Sequence, residues 1–277
     1  MKERVKNIFK GLGYAAIFMG TNYLVSIIAL FAFSFIIGLE SAATGVALTV
    51  EESTAKLMEY VLEYTMPLTI AFQLLSLLLV WLICLCRRRK LKTEANLVAF
   101  NKGSILPITV LAIMMSLFIG TFMVLVLPED MMEAYNATAQ ATLGGPSVLQ
   151  FISAVILAPI VEEIIFRGFV LPRFAKAMPL TLAVVLSSVT FGLIHNMQIV
   201  WICYATVLGL LMAFSAIHEK SVLASILFHV VFNLFGSYIT GYIPLEGIGM
   251  VIACVATFAV STALVIYMIK QKKAAIA

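Results

Sequence analysis

Aspartate occurs once in this chain of 277 residues, at Asp130. Chemistry that needs a pair of aspartates inside a membrane is therefore excluded. Charge of either sign is scarce: 12% of the residues are charged, 62% are hydrophobic, and mean hydropathy is +1.08. Average usage is about 25% charged, so the chain reads as a polytopic membrane protein with room for one membrane domain and short loops. The net charge of +4 gives no reason to expect nucleic acid. Cysteine is limited to Cys84, Cys86, Cys203 and Cys254, all in or at the end of apolar runs. None is spaced with histidine as a metal site, and no disulfide framework is expected; they read as small packing residues. No G-x-S-x-G elbow occurs. No glycine-rich phosphate loop occurs, so nothing points to a nucleotide. His218-Glu219-Lys220-Ser221-Val222 begins like a zincin helix but lacks the second histidine.

What is present is a series of apolar runs. A span needs about 20 mostly apolar residues. Eight candidates follow, at roughly 12–38, 66–86, 105–127, 147–168, 180–196, 199–217, 221–240 and 247–269, the fifth being the shortest. The first run carries Lys2, Arg4, Lys6 and Lys10 before it and resembles a signal peptide. It continues to about Ile37, longer than the roughly 7–15 residues of a signal core, so it is read as an uncleaved span. Basic residues collect on the cytoplasmic side. They cluster at the N-terminus, at Arg87-Arg88-Arg89-Lys90 and Lys92, at Arg167, Arg173 and Lys176, at Lys220, and at Lys270, Lys272 and Lys273. Glutamates dominate 39–65, and Glu129, Asp130 and Glu133 follow the third span. Eight spans with both termini cytoplasmic satisfy every loop. Within 46–64 the pattern suggests a surface helix on the outer leaflet. Gly144-Gly145-Pro146 predicts a turn and Ser147 a helix cap. Asn136-Ala137-Thr138 matches a glycosylation sequon.

The fourth run holds an anomaly, Glu162-Glu163 followed by Arg167. A charge at a bilayer centre costs roughly 2.5–3.5 kcal/mol on insertion scales, so such residues face a bundle interior or a wet cavity. The structural alternative is an ion pair between Glu163 and Arg167, four apart on one helix face, but it leaves Glu162 without a partner. Two further polar groups lie at depth: Phe191-Gly192-Leu193-Ile194-His195-Asn196, and Phe228-His229-Val230-Val231-Phe232-Asn233. Phe191 and His195 share a face, as do His229 and Asn233. Adjacent glutamates point about 100° apart. One therefore faces the two histidines while the other turns to Arg167, which assigns the chemistry to Glu162 and the support to Glu163. Taken singly, an intramembrane histidine is more often a helix–helix hydrogen-bonding residue than a catalyst, and Phe191 alone is a packing residue. The argument lies in the conjunction of a carboxylate, two imidazoles and a carboxamide on three spans. By these bounds Glu162 lies in the inner half of the fourth span and His195 near the outer end of the fifth. That separates residues the pattern joins.

Glu162-Glu163-x-x-x-Arg167, Phe191-x-x-x-His195 and His229-x-x-x-Asn233 resemble the motifs of the CAAX prenyl endoprotease and bacteriocin-processing family, the Abi or Ras-converting-enzyme-like intramembrane proteases. The resemblance covers about residues 145–240. It divides the chain into N-terminal membrane helices (1–140), a protease core (141–245), and a C-terminal membrane helix with a basic tail (246–277). The fold it implies is an all-α membrane bundle around a polar cavity, in the cell membrane. The activity it implies is hydrolysis of a peptide or membrane-protein substrate in or beside the bilayer. Glu162 would activate water with His195 assisting, His229 and Asn233 would stabilise the oxyanion, and Glu163, Arg167 and Phe191 would support them. Members are commonly labelled metalloproteases, and Glu162, His195 and His229 also make a three-ligand zinc set with an open fourth position. The three come from separate spans without the paired spacing of compact zinc sites, which favours a metal-free glutamate mechanism. A non-enzymatic reading uses the same residues: a transporter or immunity-type protein in which they relay protons or bind a ligand.

Overall fold

A computed structural model describes residues 1–143, 148–195, 197–240 and 243–274, with side chains throughout except at 141–143 and 272–274. The expected Gly144-Gly145-Pro146 turn, the Ser147 cap and Asn196 lie outside the described residues, as do the side chains of Lys272 and Lys273. The fold is all-α, with no strand among the described residues. The helices are α1 (Lys2–Thr44), α2 (Val50–Cys86), α3 (Ile105–Val126), α4 (Glu129–Leu143), α5 (Val148–Ala175), α6 (Leu180–His195), α7 (Ile199–Glu219), α8 (Val222–Ile239) and α9 (Gly247–Ala274). Among the described residues seven are long and apolar enough to cross a bilayer, and α6, with 16 residues, is the short eighth.

The first two spans are longer than their apolar cores. The segment expected as a separate surface helix at 46–64 is instead the first half of α2. Its start is set by a capping box. Thr49 Oγ1 accepts the Glu52 amide at 3.2 Å, and Glu52 Oε2 accepts the Thr49 amide at 2.8 Å. The extension is held to α1 by side chains. Phe33 stacks on Tyr60 with centroids 5.4 Å apart, and Glu40 accepts Tyr60 Oη–H at 2.6 Å and meets Lys56 at 3.2 Å. These contacts keep the helix continuous where hydropathy alone suggests a break. The stretch after the third span, read as a loop, is the helix α4. Its inner side presents Tyr135, which stacks on Trp201 at 4.6 Å.

Contacts between loops define two ends of the bundle. At one end Arg87 donates to Tyr14 Oη, Arg173 meets Glu94 at 3.5 Å, Asn96 Nδ2 donates to Lys220 O, and His218 Nε2 lies 2.9 Å from Met268 O. At the other end Gln198 donates to Thr138 of α4 at 3.0 Å. The first and last helices, α1 through Tyr14 and α9 through Met268, meet at the first end.

At the centre is α5, the most enclosed of the spans. It is not a uniform α-helix: Phe151–Leu157 and Ile164–Val170 are π-helical and flank the α-helical Ala158–Glu163. Such segments are rare and occur mostly at functional sites. Because α5 continues to Ala175, past the expected end at Gly168, Glu162 lies at mid-helix. It stands 13 residues, about 20 Å, from the turn that leads to α6; His195 stands 15 residues, about 22 Å, from the same turn. The two side chains therefore lie at one depth. This removes the separation expected from the sequence: the fourth span is longer than its apolar run, and α6 stops short.

Candidate active site

Glu162, Glu163, Arg167, His195, His229 and Phe191 converge in one cluster, and Asn233 lies at its edge. Glu162 Oε2 is 3.5 Å from His195 Nε2 and 3.9 Å from His229 Nε2. Its neighbour turns the other way. Glu163 Oε1 accepts Arg167 Nη1–H at 2.7 Å, and both side chains are buried. The division expected from the 100° separation holds for His195 and Arg167 but not for His229, which lies between the two glutamates. The sequence reading missed one contact: Glu163 Oε1 also lies 3.2 Å from His229 Nδ1.

These contacts place a proton on Nδ1 of each ring. Phe191 O is a carbonyl and can only accept, so His195 Nδ1, 2.7 Å away, carries a proton. Glu163 Oε1 already accepts from a guanidinium, so His229 Nδ1 carries a proton as well. In the neutral form of each ring, Nε2 then turns a lone pair toward Glu162. A carboxylate and two lone pairs repel unless a proton lies among them, and the 3.5 Å pair of Glu162 and His195 is the closest place for it. Exposure adds a direction. The His195 side chain is 25% exposed, against 9% for Glu162 and 3% for His229. His195 is thus the most exposed of the three, at the end of α6 near where Gln198 meets α4.

Asn233 shares a face of α8 with His229, as their spacing predicts, but its carboxamide is partly engaged. Nδ2 donates to Ala154 O at 2.9 Å. The cause lies in the sequence of α5. In a π-helical segment Ala154 O would accept from residue 159, which is proline and has no N–H. Asn233 satisfies that carbonyl and keeps a second N–H for other use. Phe191 is fully buried, with its ring 5.1 Å from Phe166, 4.2 Å from the His195 ring and 6.2 Å from the His229 ring. Among the described residues no group of three or more His, Cys, Asp or Glu side chains is arranged to hold a metal ion. Ser187 and Ser188 are buried on α6, and Ser187 donates to Val184 O. All four cysteines are free, Cys84 and Cys254 buried and Cys86 and Cys203 exposed.

No curated protein and no solved structure matches the chain. A family model described as type II CAAX prenyl endopeptidase Rce1-like does match, over residues 144–235. The matched segment runs from the start of α5 into α8 and contains every residue of the cluster. Over residues 144–235 this multi-pass membrane protein is similar to the type II CAAX prenyl endopeptidase Rce1-like family.

Proposed function

We propose that the chain is an intramembrane endopeptidase in which Glu162 activates a water molecule for attack on a peptide bond. The observation that carries this reading is the placement of the Glu162 carboxylate between two imidazoles whose Nδ1 atoms are tied back. Glu162 takes a proton from water as the oxygen attacks the carbonyl carbon. His195 Nε2 orients the carboxylate and shares that proton. The carbonyl oxygen becomes an oxyanion. It accepts hydrogen bonds from the free N–H of Asn233 and from Nε2–H of His229 in its imidazolium form, whose charge Glu163 balances at Nδ1. The proton held by Glu162 and His195 then passes to the leaving nitrogen as the C–N bond breaks. The proton taken from water is the one delivered to the leaving nitrogen, and His229 keeps its Nε2 proton through the cycle; zinc on Glu162, His195 and His229 is the competing assignment.

The family description supports a substrate with a C-terminal C-a-a-X sequence, prenylated at its cysteine. The mouth beside His195 is where such a peptide enters. The basic end of the bundle faces the cytoplasm in this reading, and both termini with it.

The test uses purified protein and fluorogenic peptides ending in C-a-a-X, with and without a prenyl group, in the presence and absence of chelator. Glu162→Gln keeps the shape and removes the base. Cleavage should fall by about 10²–10⁴ while the protein remains folded. A folded variant that retains more than about a tenth of the rate rules out the general-base role, since a positioned base contributes far more than that. Loss of activity on chelation, restored by zinc, replaces the metal-free mechanism.

A further inference from the structure

Both imidazoles are held from behind, and the two supports meet at one side chain. Arg167 Nη1 donates to Glu163 Oε1, the oxygen that accepts His229 Nδ1–H. The same guanidinium lies over the Phe191 ring, with Cζ 4.6 Å from the centroid. Phe191 supplies the carbonyl that accepts His195 Nδ1–H. Arg167 Nη2 donates in turn to Gly209 O on α7 at 3.0 Å, and the side chain is 2% exposed. One guanidinium on α5 therefore touches the support of the α8 imidazole, the support of the α6 imidazole, and the backbone of α7. Only a planar group with several donors and a stacking face makes all three contacts. Lysine offers a point charge and can keep one of them.

We propose that Arg167 is the positioning residue that sets both imidazoles together, fixing their Nδ1–H tautomers so that both Nε2 atoms face Glu162. The inference rests on the endopeptidase reading for its kinetic consequence, but not for its structural one. Glu163 carries the effect to His229. Phe191 carries it to His195, because a ring clamped by the cation holds the last turn of α6 and its carbonyl in place. Arg167 does not touch the reacting atoms and acts through these two.

The experiment compares wild type, Arg167→Lys, Glu163→Gln and Phe191→Leu, each purified and checked for folding by chromatography and thermal denaturation. The first readout is the ¹⁵N spectrum of labelled histidine, which reports the tautomer of each ring without any substrate. His218, on α7 near Met268, is the internal control because none of the three substitutions touches it. Arg167→Lys should move the signals of both His195 and His229 and leave His218 unchanged. Glu163→Gln should move His229 more than His195, and Phe191→Leu should move His195 more than His229, whose ring lies 6.2 Å from that of Phe191. The second readout is turnover. Arg167→Lys should lower kcat at least about tenfold with KM changed less than about threefold, because a misaimed base costs the transition state rather than binding. Unchanged His195 and His229 signals in folded Arg167→Lys overturn the proposal, even if activity falls. Shifted signals in a chain that cleaves no peptide uphold the positioning role and reject the endopeptidase reading. If Arg167→Lys does not fold, the two single-arm variants decide. Each must move its own histidine more than the other, and a variant that moves neither, or mainly the other ring, overturns the scheme.

Discussion

His229 has two ring nitrogens, and the protein ties only one of them from behind. With Nδ1 on Glu163, Nε2 is left to act at the site, as an oxyanion donor or as a metal ligand. Asn233 separates these roles, because its carboxamide serves a backbone carbonyl and has one N–H to spare. If His229 and Asn233 bind one oxyanion, each alanine substitution should lower turnover by about 10²–10³ with little change in KM. The double substitution should cost less than the product of the two, since donors to one charge act as a unit. Metal content measured on the same proteins distinguishes the zinc assignment: stoichiometric zinc in active protein, lost with His229→Ala and kept with Asn233→Ala, sinks the metal-free mechanism. The residue-level pattern was legible in the sequence because i,i+4 spacing fixes which side chains share a helix face. The contact of Glu163 with His229 was not, because it joins residues 66 apart on two helices.

At the scale of elements, the site depends on how closely helices approach. Gly192 and Gly209 make the seam of α6 and α7. A Cβ at Gly192 would come within 2.6 Å of Ile202 O, and one at Gly209 within 2.9 Å of Ser188 Cβ. Small residues at such seams let helix backbones approach in membranes. Gly168 does the same where α5 meets the basic loop, with a Cβ 2.9 Å from that of Ala95. The carbonyl of Ile202 cannot move without its helix, so Gly192→Ala should destabilise by about 1–3 kcal/mol. It should also displace His195, three residues on, and so lower kcat. Gly13, where a Cβ would meet nothing within 4 Å, is the control: Gly13→Ala should be neutral or stabilising by up to about 1 kcal/mol. Thermal denaturation of both variants in one detergent checks this, and equal midpoints would mean that the α6–α7 seam is not tight. The apolar runs disclosed the existence of these helices but not their ends. The ends of α2 and α5 are set by the Thr49 capping box and by packing on neighbours, neither of which alters hydropathy.

Across the whole molecule charge is divided between the two ends. The end that holds the α1–α2 turn, α4 and the approach to His195 carries nine carboxylates, Glu40, Glu51, Glu52, Glu59, Glu63, Glu129, Asp130, Glu133 and Glu246, and one cation, Lys56. The other end gathers Arg87 to Lys92, Arg173, Lys176 and Lys220 with the basic residues of both termini. Lysine and arginine bias sets orientation during insertion. A reporter fused after residue 277 should therefore read as cytoplasmic, and one within 128–146 as external. A cytoplasmic reading from 128–146 would reverse the orientation and place the mouth beside His195 on the cytoplasmic side.

The sequence by itself determined that the chain is a helical multi-pass membrane protein and which polar side chains are too costly to face lipid. These are properties of single residues and of their spacing along one helix. Only the tertiary structure decided that Glu162 and His195 lie at one depth, which follows from a long α5 beside a short α6. It alone decided that Asn233 caps the carbonyl freed by Pro159, and that Arg167 stands behind both imidazoles. Each of these is a distance between helices, and such distances are set by which side chains fill the space between them.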